Sequence, residues 1–218
     1  MGHDRHPPPP ERARLVRDGY TMPEADHALL KTLKGNHSVV QQAVFTPDAR
    51  QLVTLGLDGV LRRTELKVWD LESGTARELP WDVPRPGQAL CIDNAGRKLA
   101  VASAERGQNF VGVIDLSTGR SVIPAAPISV RPKMMTFSPD GQRLAIGFSG
   151  GDHSGCGVEL VELGSGEELL TLEFDDPTVS DIAFSTDGTK LAAATAGLLN
   201  IVGTSQATVY VCDAGPGR

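Results

Sequence analysis

An all-β chain built of about four four-stranded antiparallel units is the fold that the sequence predicts, on three observations. One segment recurs four times, a turn sits inside every copy, and the composition favours short strands over long helices. Among 218 residues, 24 are Gly and 15 are Pro while only 5% are aromatic, which suits many strands joined by tight turns. A hydrophobic content of 40% is ordinary for a globular chain and is enough for a sizeable core.

The recurring segments are AVFTPDARQLVT (43–54), LCIDNAGRKLAV (90–101), MTFSPDGQRLAI (135–146) and IAFSTDGTKLAA (182–193). Their apolar anchors, Phe45, Ile92, Phe137 and Phe184, stand 47, 45 and 47 residues apart, a period that belongs to propeller blades. Each copy places a turn between two apolar runs, as in Pro139-Asp140-Gly141-Gln142. Pro presets φ, Asp bonds its own backbone, and Gly tolerates the positive φ that closes the turn, so the flanking strands are antiparallel neighbours.

A second series follows the first: LKVWDLESGT (66–75), VGVIDLSTGR (111–120), VELVELGSGE (158–167) and VYVCDAGPGR (209–218). Period-two alternation in Val111-Gly112-Val113 and Val209-Tyr210-Val211 marks half-buried strands, and Gly74, Gly119, Gly166 and Gly217 share one turn position. After the first three turns, ARELPW, SVIPAAPI and ELLTLEF supply a fourth strand. Four antiparallel strands per unit make a propeller blade. The expected blades are 36–80, 81–128, 129–175 and 176–218, a β-propeller-type array.

The segments Phe45-Thr46-Pro47-Asp48, Val68-Trp69-Asp70 and Phe137-Ser138-Pro139-Asp140-Gly141 resemble the WD-repeat family, over roughly residues 29–218. That resemblance implies a structural brace of hydrogen bonds in which the first blade supplies His37, Thr54, Asp58 and Trp69. A buried indole and imidazole need internal partners, and a linked network fixes how strands stack. The positions matching Trp69 are Ile114, Val161 and Cys212, and those matching Thr54 are Val101, Ile146 and Ala193. The later blades are therefore expected to rely on apolar packing alone. The weakened signature is also similar to the bacterial SPDG-motif propellers, the group of the periplasmic translocation protein TolB and the propeller domains of some peptidases.

Propellers range over about four to eight blades, and WD-repeat rings usually hold about seven, so four is few. A partial propeller cut from a longer ring, a homodimer completing one, and an open arc all account for the number. Residues 29–35 resemble the fourth strand missing after Arg218 and are expected to close the last blade, which would leave no open edge.

Residues 1–28 fall outside the repeat and read as a flexible polar leader. Pro7 to Pro10 favour an extended polyproline conformation, and Thr21-Met22-Pro23-Glu24 fits a helix cap ahead of a short helix near 22–28. Between the second and third strands of the blades lie Gly56–Glu65, Ala104–Phe110, Gly147–Gly157 and Thr195–Thr208, read as variable loops where recognition would sit. Arg62, Arg63 and Arg106 are the candidate contacts for an acidic partner there.

A net charge of −6 without a basic run argues against nucleic-acid or anionic-membrane binding. The amino terminus lacks the apolar stretch of a secretory signal, and three widely spaced cysteines, Cys91, Cys156 and Cys212, fit free thiols in a reducing compartment. A cytoplasmic location is expected. Chemistry is sparsely represented: there is no phosphate-binding glycine loop, no His-Glu-x-x-His and no paired Cys-x-x-Cys. The Gly150–Cys156 segment crowds Asp152, His153, Ser154 and Cys156, yet catalytic partners normally converge from separate elements. Asp175 and Asp176, before Pro177, read as turn residues. The expectation is a non-catalytic protein-binding scaffold without metal or cofactor; the alternative is a regulatory or substrate-gating part of a larger enzyme such as a kinase or peptidase.

Overall fold

The computed structural model describes residues 31–35, 39–58, 63–80, 87–105, 107–149, 155–196 and 207–215. The chain divides into two units, Met1–Lys34 and Gly35–Arg218, and all the strands among the described residues belong to the second. The first sheet comprises β1 (Val39–Phe45), β2 (Gln51–Asp58), β3 (Arg63–Asp70) and β4 (Ala76–Glu78). The second holds β5 (Gly87–Ile92), β6 (Lys98–Glu105), β7 (Gln108–Asp115) and β8 (Ser121–Ile128). The third is β9 (Pro132–Phe137), β10 (Arg143–Phe148), β11 (Cys156–Glu162) and β12 (Glu168–Phe174), and the last β13 (Thr178–Phe184), β14 (Lys190–Ala196) and β15 (Thr208–Asp213). Every pairing is antiparallel between sequence neighbours, and the first strands β1, β5, β9 and β13 pack in series. The all-β, blade-by-blade architecture expected from the repeat is the architecture observed.

Register repeats with the sequence. Leu52 faces Trp69, Leu99 faces Ile114, Leu144 faces Val161 and Leu191 faces Cys212. Because side chains alternate across a strand, this register gives every sheet a leading face, toward the blade before it, and a trailing face, toward the blade after. Leu99, Val101 and Ile114 on the second leading face pack against Val53, Leu55, Leu66 and Val68 on the first trailing face. Met135, Phe137, Leu144 and Ile146 meet Ala89, Cys91, Ala100, Ala102 and Val113 in the same way. Ile182, Leu191 and Ala193 then meet Ala145, Val158 and Leu160. The core is thus three stacked inter-sheet layers, with large leading side chains set on small trailing ones in the second layer.

The hairpins inside the repeat are closed by one recurring side chain. Thr46, Ser138 and Ser185 each accept through Oγ from the backbone N–H five residues on, and each donates to the Asp two residues on. In the second blade Asp93 takes this place and accepts from the N–H groups of Arg97 and Lys98. Gly96, Gly141 and Gly188 occupy the left-handed region at φ 67°, 66° and 71°, where the first blade instead places Ala49 at φ 54°. A Cβ in that region is strained.

Three expectations need correction or restriction. Ala104–Phe110 is no loop: β6 and β7 pair as far as Glu105 with Gln108, and Gly107 takes φ 86°. The polar residues Glu105, Gln108 and Asn109 belong to the ladder, with Gln108 exposed. Residues 31–35 carry no strand, so the last sheet has three strands among the described residues and β15 is its outer edge. The polyproline and helix expected within residues 1–28, and residues 29 and 30 of the proposed closing strand, lie outside the described residues.

Candidate functional site

In the first blade, the β2–β3 register puts Thr54 and Trp69 on the leading face, two positions apart along the ladder. The indole Nε1–H donates to Thr54 Oγ1 at 2.9 Å, and both residues are buried. Lys67 shares this face; its ammonium donates to the Gly35 carbonyl and pairs with the Glu65 carboxylate. Glu65 is almost wholly buried, and a Cβ on Gly35, at φ 142°, would sit 3.4 Å from the Trp69 ring. A charge pair therefore lies beside the indole–hydroxyl bond. The signal in the sequence was the alternation Glu65-Leu66-Lys67, which places both charges on one face of β3.

Of the four brace residues read from the sequence, Thr54 and Trp69 are brought together. His37 lies outside the described residues. Asp58 pairs with Arg63 at the open end of β2 and β3, and the side chains of both are outside the description. Arg62 and Arg106 lie outside it as well.

The last blade carries a second polar cluster, which overturns the expectation that later blades depend on apolar packing alone. Thr195 Oγ1 donates to Asp176 Oδ2 at 2.7 Å, and Tyr210 Oη donates to the same oxygen at 3.1 Å. Thr195 is buried, and the Tyr210 ring stacks on Phe174 with centroids 4.1 Å apart. The carboxylate acceptor holds the Tyr210 phenol above its ordinary range. Next to this cluster Ser149 and Thr178 share a 2.8 Å hydroxyl bond that links the third blade to the fourth. Asp176 is a node and not only a turn residue. Its role was hidden because its partners come from strands 19 and 34 residues away.

In each sheet the strands alternate in direction, so the links between sheets and the connections between second and third strands share one end. Those connections are residues 59–62, 106–107, 149–155 and 197–207. The last blade has the longest of them, and the Asp176 cluster stands at that same end. At the opposite end are the tight turns, whose carboxylates are anchored: hydrogen bonds from Ser117 and Thr118 hold Asp115 at a pKa of about 2, and those from Ser185 and Thr189 do the same for Asp187. Asp48 and Asp140 are lowered by Thr46 and Ser138.

The described thiols are poorly suited to nucleophilic work. Burial pushes Cys91 and Cys156 upward, and the thiolate is the reactive form. Among the described residues no group of three or more His, Cys, Asp or Glu side chains is placed to hold a metal ion; His153 lies outside them. A cavity of about 490 Å³ between the first two sheets is bounded by Arg77, Arg97 and Asp115. Arg77 there donates to the Leu116 carbonyl, a contact between blades.

No protein-family model matches the chain, and no curated protein matches it. Among solved structures, 1010 chains match. One is TolB from Acinetobacter baumannii, 18% identical, with a TM-score of 0.58 over 83% of this chain and 42% of that one. This chain therefore spans less than half the length of that neighbour. At that identity the likeness shows the fold, and the fold it shows is a β-propeller array.

Proposed function

We propose that this chain is a non-catalytic propeller that binds other proteins, of the WD-repeat kind. The single observation that carries the reading is the arrangement of the blade ends. The strand ends that bear the two longest connections, Phe148, Cys156, Ala196 and Thr208, lie at the same end of the sheets as the Asp176–Thr195–Tyr210 cluster, while tight, hydrogen-bonded turns close the other end. Rigid strands that present variable connections at one end suit recognition. The Trp69–Thr54 bond and the Asp70 carboxylate, which accepts from Ser73, support the WD-repeat assignment.

The test is affinity capture from the source cell with the intact chain and with a variant whose 197–207 connection is replaced by a short Gly-Ser turn. A partner held by the first and lost with the second supports the proposal. Equal capture by both, or none above a bare-resin control, contradicts it. A second reading is a regulatory or gating portion of a larger enzyme such as a kinase or peptidase. An uninterrupted reading frame joining it to a catalytic domain would establish that alternative.

A further inference from the structure

The junctions between blades follow one plan at the turn end, and the first junction departs from it. Lys98, at the start of β6, donates to the carbonyl of Gly141 in the turn of the next blade, and Arg143, at the start of β10, does the same to Gly188. The same register position in the first blade is Gln51, and the carbonyl matching those of Gly141 and Gly188 is that of Gly96. The hydrogen bonds of Gln51 run through its backbone to Thr46. The basic strap of the later junctions is missing here.

A cleft stands where the strap would lie. The cavity of about 490 Å³ between the first two sheets is lined by Gln51 and Gly96 as well as by Arg77, Arg97 and Asp115, and its size falls within the range of about 300–1,000 Å³ of ligand pockets. The side chains around it are also exchanged. Arg77 holds the register position of Ile123 and Leu170, and Arg97 the turn position of Gln142 and Thr189. Later junctions set one basic strap beside apolar and neutral polar residues; the first sets two arginines around a neutral Gln51.

Both guanidiniums keep donors for a ligand, since each carries five N–H groups. One nitrogen of Arg77 donates to the Leu116 carbonyl, which fixes the side chain at the cleft wall. The hydrogen bonds of Arg97 run through its backbone, to Asp93 and from Leu116. The cleft also offers acceptors: the Gly96 carbonyl and Asp115, whose Oδ1 is taken by Ser117 and Thr118 while Oδ2 is left to the cleft. Those bonds hold the Asp115 pKa at about 2, so it is ionised at neutral pH. Two guanidiniums against one carboxylate leave a single positive charge, which suits one carboxylate better than a dianionic phosphate, and the two acceptors suit the N–H groups of a peptide chain.

We propose that this cleft binds an acidic peptide: an Asp or Glu side chain of the peptide lies between Arg77 and Arg97, and its backbone N–H groups donate to the Gly96 carbonyl and to Asp115. Charge-assisted bonds between guanidinium and carboxylate are among the strong ones in proteins. The site adds a second contact surface to the protein-binding reading, at the end opposite the 197–207 connection. The variant with that connection replaced therefore retains the peptide, and failure of the cleft to bind leaves that reading standing.

The test titrates the intact chain by calorimetry with an end-capped tetra-aspartate peptide, with tetraserine and inorganic phosphate as comparison ligands. The expected result is saturable binding of one tetra-aspartate per chain, tighter than either comparison ligand. Arg77→Ala and Arg97→Ala, each verified as folded by circular dichroism, weaken it about ten-fold or more, the worth of a hydrogen bond to a charged group. Gln51→Lys rebuilds the strap of the later junctions; it raises the melting temperature and weakens the peptide by occupying the Gly96 carbonyl, although it adds a positive charge. The proposal is overturned by an absence of tetra-aspartate binding, by phosphate that binds as tightly, or by an affinity indifferent to Arg97→Ala. It is overturned equally by Gln51→Lys leaving the affinity unchanged or raising it, as general attraction of an acidic peptide to a basic surface would.

Discussion

The first and last blades share a register and a turn chemistry yet are braced in different ways. In the first, an indole and a hydroxyl lock β2 to β3 on the leading face, beside a buried Glu65–Lys67 pair. In the last, a carboxylate from the incoming link ties β14 to β15 at the open end of the sheet. The difference teaches that one register accommodates two kinds of polar tie between second and third strands, one set on the sheet face and one at the sheet end. The middle blades have neighbours on both sides, and at the positions of Thr54 and Trp69 they carry Val101 with Ile114 and Ile146 with Val161, of which Val101, Ile114 and Ile146 are buried.

The comparison is broken most forcefully at Trp69. Trp69→Ala removes a buried ring and orphans Thr54, with an expected loss of about 3–5 kcal/mol in urea unfolding. Trp69→Phe keeps most of the packing and isolates the hydrogen bond at about 1 kcal/mol. A Trp69→Phe cost equal to that of Trp69→Ala would mean that packing is not the larger part.

The corresponding change in the last blade is Asp176→Ala, which leaves the Thr195 and Tyr210 hydroxyls without their acceptor and is expected to cost about 1–2 kcal/mol. Asp175→Ala, one residue away and exposed, is the control and should be near neutral. If the two variants unfold at the same urea concentration, the Asp176 node is not a brace.

A smaller effect, of opposite sign, is expected from Ala49→Gly. It relieves the strained φ of 54° that the other three blades avoid with glycine, and about 1 kcal/mol of stabilisation is expected after the added chain entropy is counted. No gain in melting temperature would mean that the turn relaxes around Ala49.

The smallest effect per site is the acid dependence of the turns. Asp115 and Asp187 have folded pKa values of about 2, below the ordinary 3.8. Their contribution is fully present above about pH 4 and is lost as the pH falls through about 2. Asp115→Asn with Asp187→Asn should flatten the fall in melting temperature between pH 4 and pH 2. An unchanged slope would place the acid sensitivity elsewhere.

The architecture was legible because a blade is a local structure: the 47, 45 and 47 residue spacing of Phe45, Ile92, Phe137 and Phe184 is the spacing of equivalent ladder positions. The Trp69–Thr54 bond was implied by the resemblance to the WD-repeat family. The Asp176 cluster was not legible, since it joins a link residue to two strands that nothing in the local pattern connects. The extension of the β6–β7 ladder to Glu105 and Gln108 was hidden by polarity, because ladder ends carry the same residue types as loops. The bareness of Val209 and Val211 was invisible for a different reason: alternation marks two faces without saying what covers either one.

Amide hydrogen exchange, followed strand by strand on the intact chain at dilutions where it is monomeric, tests the stacking account most directly. Third strands β3, β7 and β11 each pair on both sides, whereas β15 pairs with β14 alone among the described residues. The predicted result is that β15 exchanges fastest of the four. Protection of β15 equal to that of β7 in the monomer would contradict the account, for the last blade would then already be covered by its own chain.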